Sequence, residues 1–201
     1  MKVGMIFECG PDGADRKVCE HLGRRLQSDI EVVCVTLGDK KQLLAGCGGA
    51  ALGLLRERCE RIVIVWDLHP PWRPKRQKPC RKEDRKTILS SLARAGVDSL
   101  QVSLVCIEEE LEAWLLADSR ALKQVLSHFT HPHPVRVQNV KRPEQTRNPK
   151  KHLSRVFQQH GRSYVDRIHA RMIVEALPDL TRIKRCTTFV RFAVKVTGKA
   201  P

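Results

Sequence analysis

The chain has 201 residues, 41% of them hydrophobic and 29% charged, with a formal net charge of +15 at pH 7. That size and balance fit one globular domain with a sizeable core and exclude a disordered polyelectrolyte. The positive excess points to a polyanionic partner such as nucleic acid, whereas 4% aromatic content argues against a base-stacking platform for single strands.

In chain order, "KVGMIFE" reads as a first strand and "DGADRKVCEHLGRRLQ" as an amphipathic helix with Val18, Leu22 and Leu26 on one stripe. "EVVCVTL" is a second strand, "KKQLLAGCGGAALGLLRERC" a second helix and "RIVIVWD" a third strand. The glycines of "GCGGAALG" lack the Gly-Lys-Ser/Thr of a nucleotide loop and read as close helix packing. A Pro-, Lys- and Arg-rich loop then leads into the helix "KEDRKTILSSLARAG", with Gly96 as its C-cap. "LQVSLVCI" is a fourth strand, followed by the helix "EEELEAWLLAD" and a short helix "SRALKQVL".

The second half changes character. "SHFTHPHPVRVQNVKRPEQTR" reads as a loop, and a zinc site from His128, His131 and His133 is disfavoured by the prolines and the lack of nearby cysteines. Asn148 and Pro149 mark a helix start. Ser163 and Asp166 stand at capping-box spacing before an apolar face of Val165, Ile168, Met172, Ile173 and Ala176. "TTFVRFAVKV" fits helix better than strand. The expected architecture is therefore α/β: a mostly parallel sheet with helices on both faces over residues 1–127, a basic loop over 128–147, and a helical C-terminal extension over 148–201 packed on the core.

No window approaches the roughly 20 apolar residues of a membrane span, and the N-terminus turns polar too early for a signal peptide. The eight cysteines form no C-x-x-C pair, and most sit inside apolar runs, as reduced thiols do in a cytoplasmic protein.

Acidic residues fall where ligands bind in open parallel sheets, outside the carboxyl ends of strands. Glu8 closes the first strand, Asp67 closes the third, and Glu108, Glu109, Glu110, Glu112 and Asp118 follow the fourth. Carboxylates converging from separate strands repel one another unless a cation sits among them, and a hard divalent ion prefers such oxygens. Each residue also has a plainer reading. Glu8 caps the next helix, Asp67 holds the turn before Pro70 and Pro71, and Glu108 to Glu110 complement a helix dipole. Glu112 lies one turn inside its helix near the apolar stripe, Asp118 doubles as the N-cap of the next helix, and His69 is a ligand, a general base or a loop residue.

Two basic stretches offer a grip on phosphates. "RPKRQKPCRKEDRK" contributes Arg73, Lys75, Arg76, Lys78, Arg81 and Lys82. "KRPEQTRNPKK" contributes Arg147, Lys150 and Lys151, and the helix it opens offers free N–H groups to a phosphate. Both stretches also read as solvated basic loops.

Glu8, "VIVWDLH" and above all "EEELEAWLLADSRAL" carry a resemblance to the uncharacterised family called domain of unknown function 4276, a Toprim-like group. "NPKKHL", Tyr164 and "CTTFVRF" extend the likeness over almost the whole chain. The resemblance implies a Toprim-like α/β core whose Glu8 and Asp67 hold Mg2+ or Mn2+ during phosphodiester cleavage. In that pattern a glycine follows the glutamate directly and an Asp-x-Asp closes the third strand; here Cys9 precedes Gly10 and His69 replaces the second aspartate. Glu112, with Asp118 beside it in the motif, supplies the carboxylate that His69 does not. The implied catalytic set is Glu8, Asp67 and His69, and the implied metal set is Glu8, Asp67, Glu112 and Asp118. A magnesium-dependent nuclease follows, of the kind encoded beside partner ATPases in phage-defence systems. The alternative is a non-catalytic module that binds nucleic acid or an ATPase through a degenerate site.

Overall fold

Strands buried on both faces need apolar side chains at consecutive positions, and KVGMIF, EVVCVT, RIVIVWD and VSLVCI supply them. The structure, a computed structural model, describes residues 1–69, 79–108, 110–129 and 134–201. In it these segments are β1 (Lys2–Phe7), β2 (Glu31–Thr36), β3 (Arg61–Asp67) and β4 (Val102–Ile107) of one parallel sheet in the order β2-β1-β3-β4. The first crossover, through α1 (Ala14–Leu26), runs from β1 outward to β2. The next, through α2 (Lys40–Arg56), jumps back across β1 to β3, and α3 (Arg81–Arg94) continues the same way to β4. Crossovers of one hand running in opposite directions place α1 on one face and α2 with α3 on the other.

Side-chain alternation sorts the core accordingly. Val3, Met5, Phe7, Val63, Val65, Val105 and Ile107 share a cluster with Val18 and Leu22 of α1 and with the C-terminal helices. Ile6, Ile62, Ile64, Trp66 and Cys106 pack with Leu43, Cys47 and Leu54 of α2 and with Ile88 and Leu92 of α3. The glycine-rich stretch of α2 lets it press onto α3. A Cβ on Gly48 would stand 2.1 Å from the Ser91 carbonyl oxygen. The Gly48 N–H donates to Ser91 Oγ at 3.1 Å, and Ser91 Oγ donates to the Ala45 carbonyl at 2.9 Å.

The C-terminal half closes the α1 face with α4 (Glu112–Leu115), α5 (Ser119–Phe129), α6 (Pro149–Gln158), α7 (Asp166–Glu175) and α8 (Thr187–Thr197). Fully buried Trp114 anchors this layer: its Nε1 donates to Thr188 Oγ1 at 2.7 Å, and Phe189 and Phe192 each lie 5.6 Å from its ring. The Glu144 carboxylate accepts the N–H groups of Thr187 at 2.6 Å and Thr188 at 2.8 Å, capping α8.

Several local expectations are corrected. The helix expected over 108–118 is a single turn, so Glu108 and Glu110 lie in a loop and Glu112 is the first helical residue. Helix α5 continues to Phe129, past the start of the expected loop, because Val125, Leu126 and Phe129 still pack on the core. Asn148 precedes α6 in a left-handed conformation (φ 53°) without a side-chain cap. No Ser163–Asp166 capping box forms. Helix α7 starts at Asp166, and the Val165 N–H donates to His169 Nδ1 at 2.8 Å. Pro70, Pro71, Arg73, Lys75, Arg76, Lys78, Glu109, His131 and His133 lie outside the described residues.

All eight cysteines are free thiols. Burial pushes those of Cys9 and Cys34 up to about 11 and those of Cys106 and Cys186 up to about 12, far from the reactive thiolate range. Among the described residues no helix is long and apolar enough to cross a membrane.

Candidate active site

The strand order reverses between β1 and β3, which have β2 on one outer side and β4 on the other. At such a switch point the connections leave in opposite directions and open a crevice beyond the carboxyl ends of the strands. Phe7 pairs with Val65, so Glu8 emerges beside the end of β3, where Asp67 pairs with Ile107. The ladder continues past the strands and fixes both backbones. Leu37 N–H donates to Phe7 O at 2.9 Å, Gly38 N–H to Cys9 O at 3.1 Å and Leu68 N–H to Ile107 O at 2.8 Å. The loop after Glu8 then folds tightly: Gly13 N–H donates to Gly10 O at 2.9 Å, and a Cβ on Gly13 would meet Cys9 Sγ at 2.3 Å. This turn brings Asp15, in the first turn of α1, back to the crevice.

Five carboxylates act on one another here. Burial, then the charges of Asp15, Glu8, Glu112 and Glu110, hold the Asp67 carboxyl well above the usual range. Burial raises Glu8 to about 7, opposed by the Lys40 ammonium and assisted by the Asp15 charge. Burial likewise lifts Glu112 to about 7, with Glu110 and Asp15 adding to it and Lys150 opposing. Asp15 rises to about 6 through burial and the Asp166 charge, against Lys150. Two of the acids carry an oxygen that is both buried and without a hydrogen-bond partner: Glu8 Oε2 and Asp67 Oδ1. A buried anion left unsatisfied in this way is costly and is compensated by protonation or by a cation.

Two lysines border the acids. Lys40, 8% exposed, reaches from α2 behind β3, where its Nζ donates to the carbonyls of Asp67 and Leu68, both at 2.8 Å, and pairs with buried Asp84 at 3.0 Å. Trp66 Nε1 donates to the same Asp84 carboxylate at 3.3 Å. On the opposite side Lys150 opens α6. Its backbone N–H donates to Glu110 Oε2 at 2.7 Å and its Nζ to Asp166 Oδ2 at 2.6 Å. Burial works against the Lys150 charge, but Asp166, Glu112 and Glu110 outweigh it and hold the ammonium above its usual range. The expected phosphate at the start of α6 therefore meets a carboxylate of the chain itself. Tyr164, the single tyrosine, donates from its hydroxyl to Glu112 Oε1 at 3.3 Å and packs edge-on against Phe157.

Of the residues singled out from sequence, Glu8, Asp67 and Glu112 are drawn into this group, and His69 stands exposed two residues beyond Asp67. Asp118 is committed elsewhere. It is fully buried and accepts the Arg120 N–H at 2.9 Å, Arg120 Nη2 at 2.6 Å and Arg182 Nη1 at 3.4 Å. Burial pushes its carboxyl up, yet the Arg120 hydrogen bonds and the Arg120 and Arg182 charges bring it below the usual range. Asp118 thus clamps α5 to the segment before α8, and its oxygens are taken. Arg81, Lys82, Arg147 and Lys151 are exposed. Asp15, Lys40, Glu110, Tyr164 and Asp166 complete the surroundings without having been picked out as site residues. For Asp15 the available signal was an acid seven residues after Glu8, indistinguishable from ordinary helix-dipole pairing.

The donor chemistry suits a hard divalent cation: carboxylates only, two of them with unsatisfied buried oxygens. Among the described residues no three His, Cys, Asp or Glu side chains already stand at positions that would hold a metal. The convergence is therefore electrostatic rather than a preformed chelate, as expected of mutually repelling carboxylates.

Fold and site together define a doubly wound parallel α/β protein with an acidic crevice at its switch point. The chain belongs to the family described as domain of unknown function (DUF4276), whose model matches residues 15–196. Asp15, Asp67 and Glu112 fall inside the matched segment, and Glu8 lies seven residues before it. No curated protein and no solved structure matches the chain.

Proposed function

We propose that the crevice is the active site of a divalent-cation-dependent nuclease of Toprim type, with Glu8, Asp67 and Glu112 as the cation-holding carboxylates. The observation that carries this reading is the pair of buried, unpartnered oxygens, Glu8 Oε2 and Asp67 Oδ1, on adjacent strand ends in a chain of net charge +15. A basic protein that concentrates uncompensated acids at its switch point retains a cation site against the cost of repulsion. Magnesium or manganese, if held by Glu8, Asp67 and Glu112, would supply polarisation of a phosphodiester oxygen and neutralisation of charge on the leaving oxygen.

The chain's own groups provide the rest. Glu8, raised to about 7, is poised to exchange a proton at neutral pH. Tyr164 holds one Glu112 oxygen and leaves the other to turn inward. Lys150, paired with Asp166 at 2.6 Å, offsets part of the acidic charge around Glu112. Lys40 holds the Asp67 and Leu68 carbonyls and so fixes the end of β3 from behind. His69, exposed two residues beyond Asp67, is the remaining member of the catalytic set that the family resemblance implies.

The test is Asp67→Asn, which keeps the shape and removes the charge. Mn2+ titration by calorimetry and cleavage of labelled DNA and RNA are expected to show binding and cleavage in the wild type and neither in the variant. Cleavage retained by Asp67→Asn refutes the assignment. The absence of a preformed three-ligand set among the described residues favours a second reading, a nucleic-acid- or ATPase-binding module with a degenerate site. Wild-type protein that binds no Mn2+ at millimolar concentration selects it.

A further inference from the structure

The sheet has an open side. Strand β4 pairs with β3 alone, so among the described residues its outer edge carries unpaired ladder groups. Along that edge lies a cavity of about 520 Å³ lined by Leu104, Val105 and Cys106 of β4, Trp66 of β3, Arg81 and Arg85 of α3, and Arg191 of α8. The two helices belong to opposite layers, so the arginines flank the edge from both faces. A second, shallow hollow of about 440 Å³ shares Arg85 and lies over α3 between Lys82, Lys86, Leu89, Ser90 and Ala93.

One end of the cavity lies near the carboxyl end of β4. Its floor ends at Cys106, one residue before Ile107, the register partner of Asp67. At that end Glu108 binds both Arg81 and Arg191, at 2.7 Å for Arg191, and so holds two guanidiniums side by side. Two residues further on, Glu110 already belongs to the acidic group. Arg85 makes no hydrogen bond or ion pair among the described residues, and all three arginines are exposed.

We infer that this edge groove is the channel for a single nucleic-acid strand, with Arg81, Arg85 and Arg191 gripping consecutive phosphates and delivering the next phosphodiester to the crevice. The inference rests on the nuclease reading and deepens it, because it names the substrate as single-stranded. Three features favour that occupant. Three arginines line one cavity, and Glu108 pairs two of them there. The volume is within the range of about 300–1,000 Å³ that accommodates one small ligand, enough for a nucleotide or two and too little for a duplex. Planar guanidinium forks match phosphate oxygens two at a time. Arg85 and Arg191 thereby become strand-binding residues, and Glu108 becomes the residue that positions Arg81 and Arg191.

The test is fluorescence anisotropy of a labelled 12-nucleotide single strand on the full chain, in EDTA, between 50 and 200 mM KCl. Variants are Arg85→Glu, Arg191→Gln and their combination, with circular dichroism as the fold check. The combined variant is expected to bind at least tenfold more weakly. Its plot of log affinity against log salt should flatten by about 0.7 for each phosphate no longer neutralised, as counterion release from single strands requires. Mn2+ binding should be unchanged, which separates this test from that of the acidic site. Affinity within twofold of wild type with an unchanged salt slope overturns the channel. So does preference for a duplex of the same sequence, or arginine-dependent binding of polyglutamate without arginine-dependent binding of the strand, which would assign the groove to an acidic protein segment.

Discussion

Replacing Glu8 by glutamine tests the electrostatics of the crevice without reference to any substrate. The carboxyl is raised from 4.5 to about 7, mainly by burial. The folded state therefore holds this proton more tightly than the unfolded chain does. Its contribution to stability is complete below about pH 4.5, is lost progressively as pH rises to about 7, and is level above that. At about 1.4 kcal/mol per pH unit, the interval between 4.5 and about 7 corresponds to about 3 kcal/mol. Glutamine mimics the protonated acid and cannot ionise. Glu8→Gln is accordingly expected to match wild type near pH 4.5 and to exceed it by up to about 3 kcal/mol at pH 8 in EDTA. The assay is urea unfolding at several pH values with and without Mn2+. With metal the difference nearly closes, since an ion at a hundred times its dissociation constant stabilises wild type by about 2.7 kcal/mol and the variant little. Parallel pH profiles for the two proteins would show that Glu8 is not held unsatisfied in the folded state, and the reasoning behind the site would fail with it.

Other consequences follow from the same geometry. Lys40→Met strands buried Asp84 and frees the carbonyls at the end of β3, with an expected loss of about 3–5 kcal/mol in urea unfolding. The double variant with Asp84→Asn should recover part of it. Gly48→Ala forces a Cβ onto the Ser91 carbonyl and should cost at least about 2 kcal/mol, seen as a lower unfolding midpoint at unchanged denaturant slope. Asp118→Asn weakens the charge-assisted bonds to Arg120 and Arg182 by about 1.5–3 kcal/mol. It should leave the Mn2+ isotherm unaltered, whereas a shifted isotherm would return Asp118 to the metal set.

The sequence motif around Glu112 shows how one short segment serves two purposes. Residues two apart on a helical turn diverge by about 200°. Glu112 thus enters the acidic group while Trp114 enters the aromatic core under α8. From the sequence the two roles could not be separated, and the single turn looked like a longer helix because apolar residues continue through Leu111–Ala117, all buried.

What the sequence by itself determined is the parallel α/β architecture and the acids at the ends of β1 and β3. Continuous apolar strands alternating with amphipathic helices admit few other arrangements, and an acid closing such a strand must lie at its mouth. Tertiary structure alone decided which acids share a crevice and which are neutralised. Along the chain Asp118 is favoured over Glu110 and Asp15, yet the Gly10–Gly13 turn returns Asp15 to the switch point, the loop after β4 admits Glu110, and two arginines claim Asp118. The reason is one of range: strand and helix patterns arise from neighbours a few residues apart, whereas the charge state of a carboxyl depends on burial and on partners brought together from distant parts of the chain.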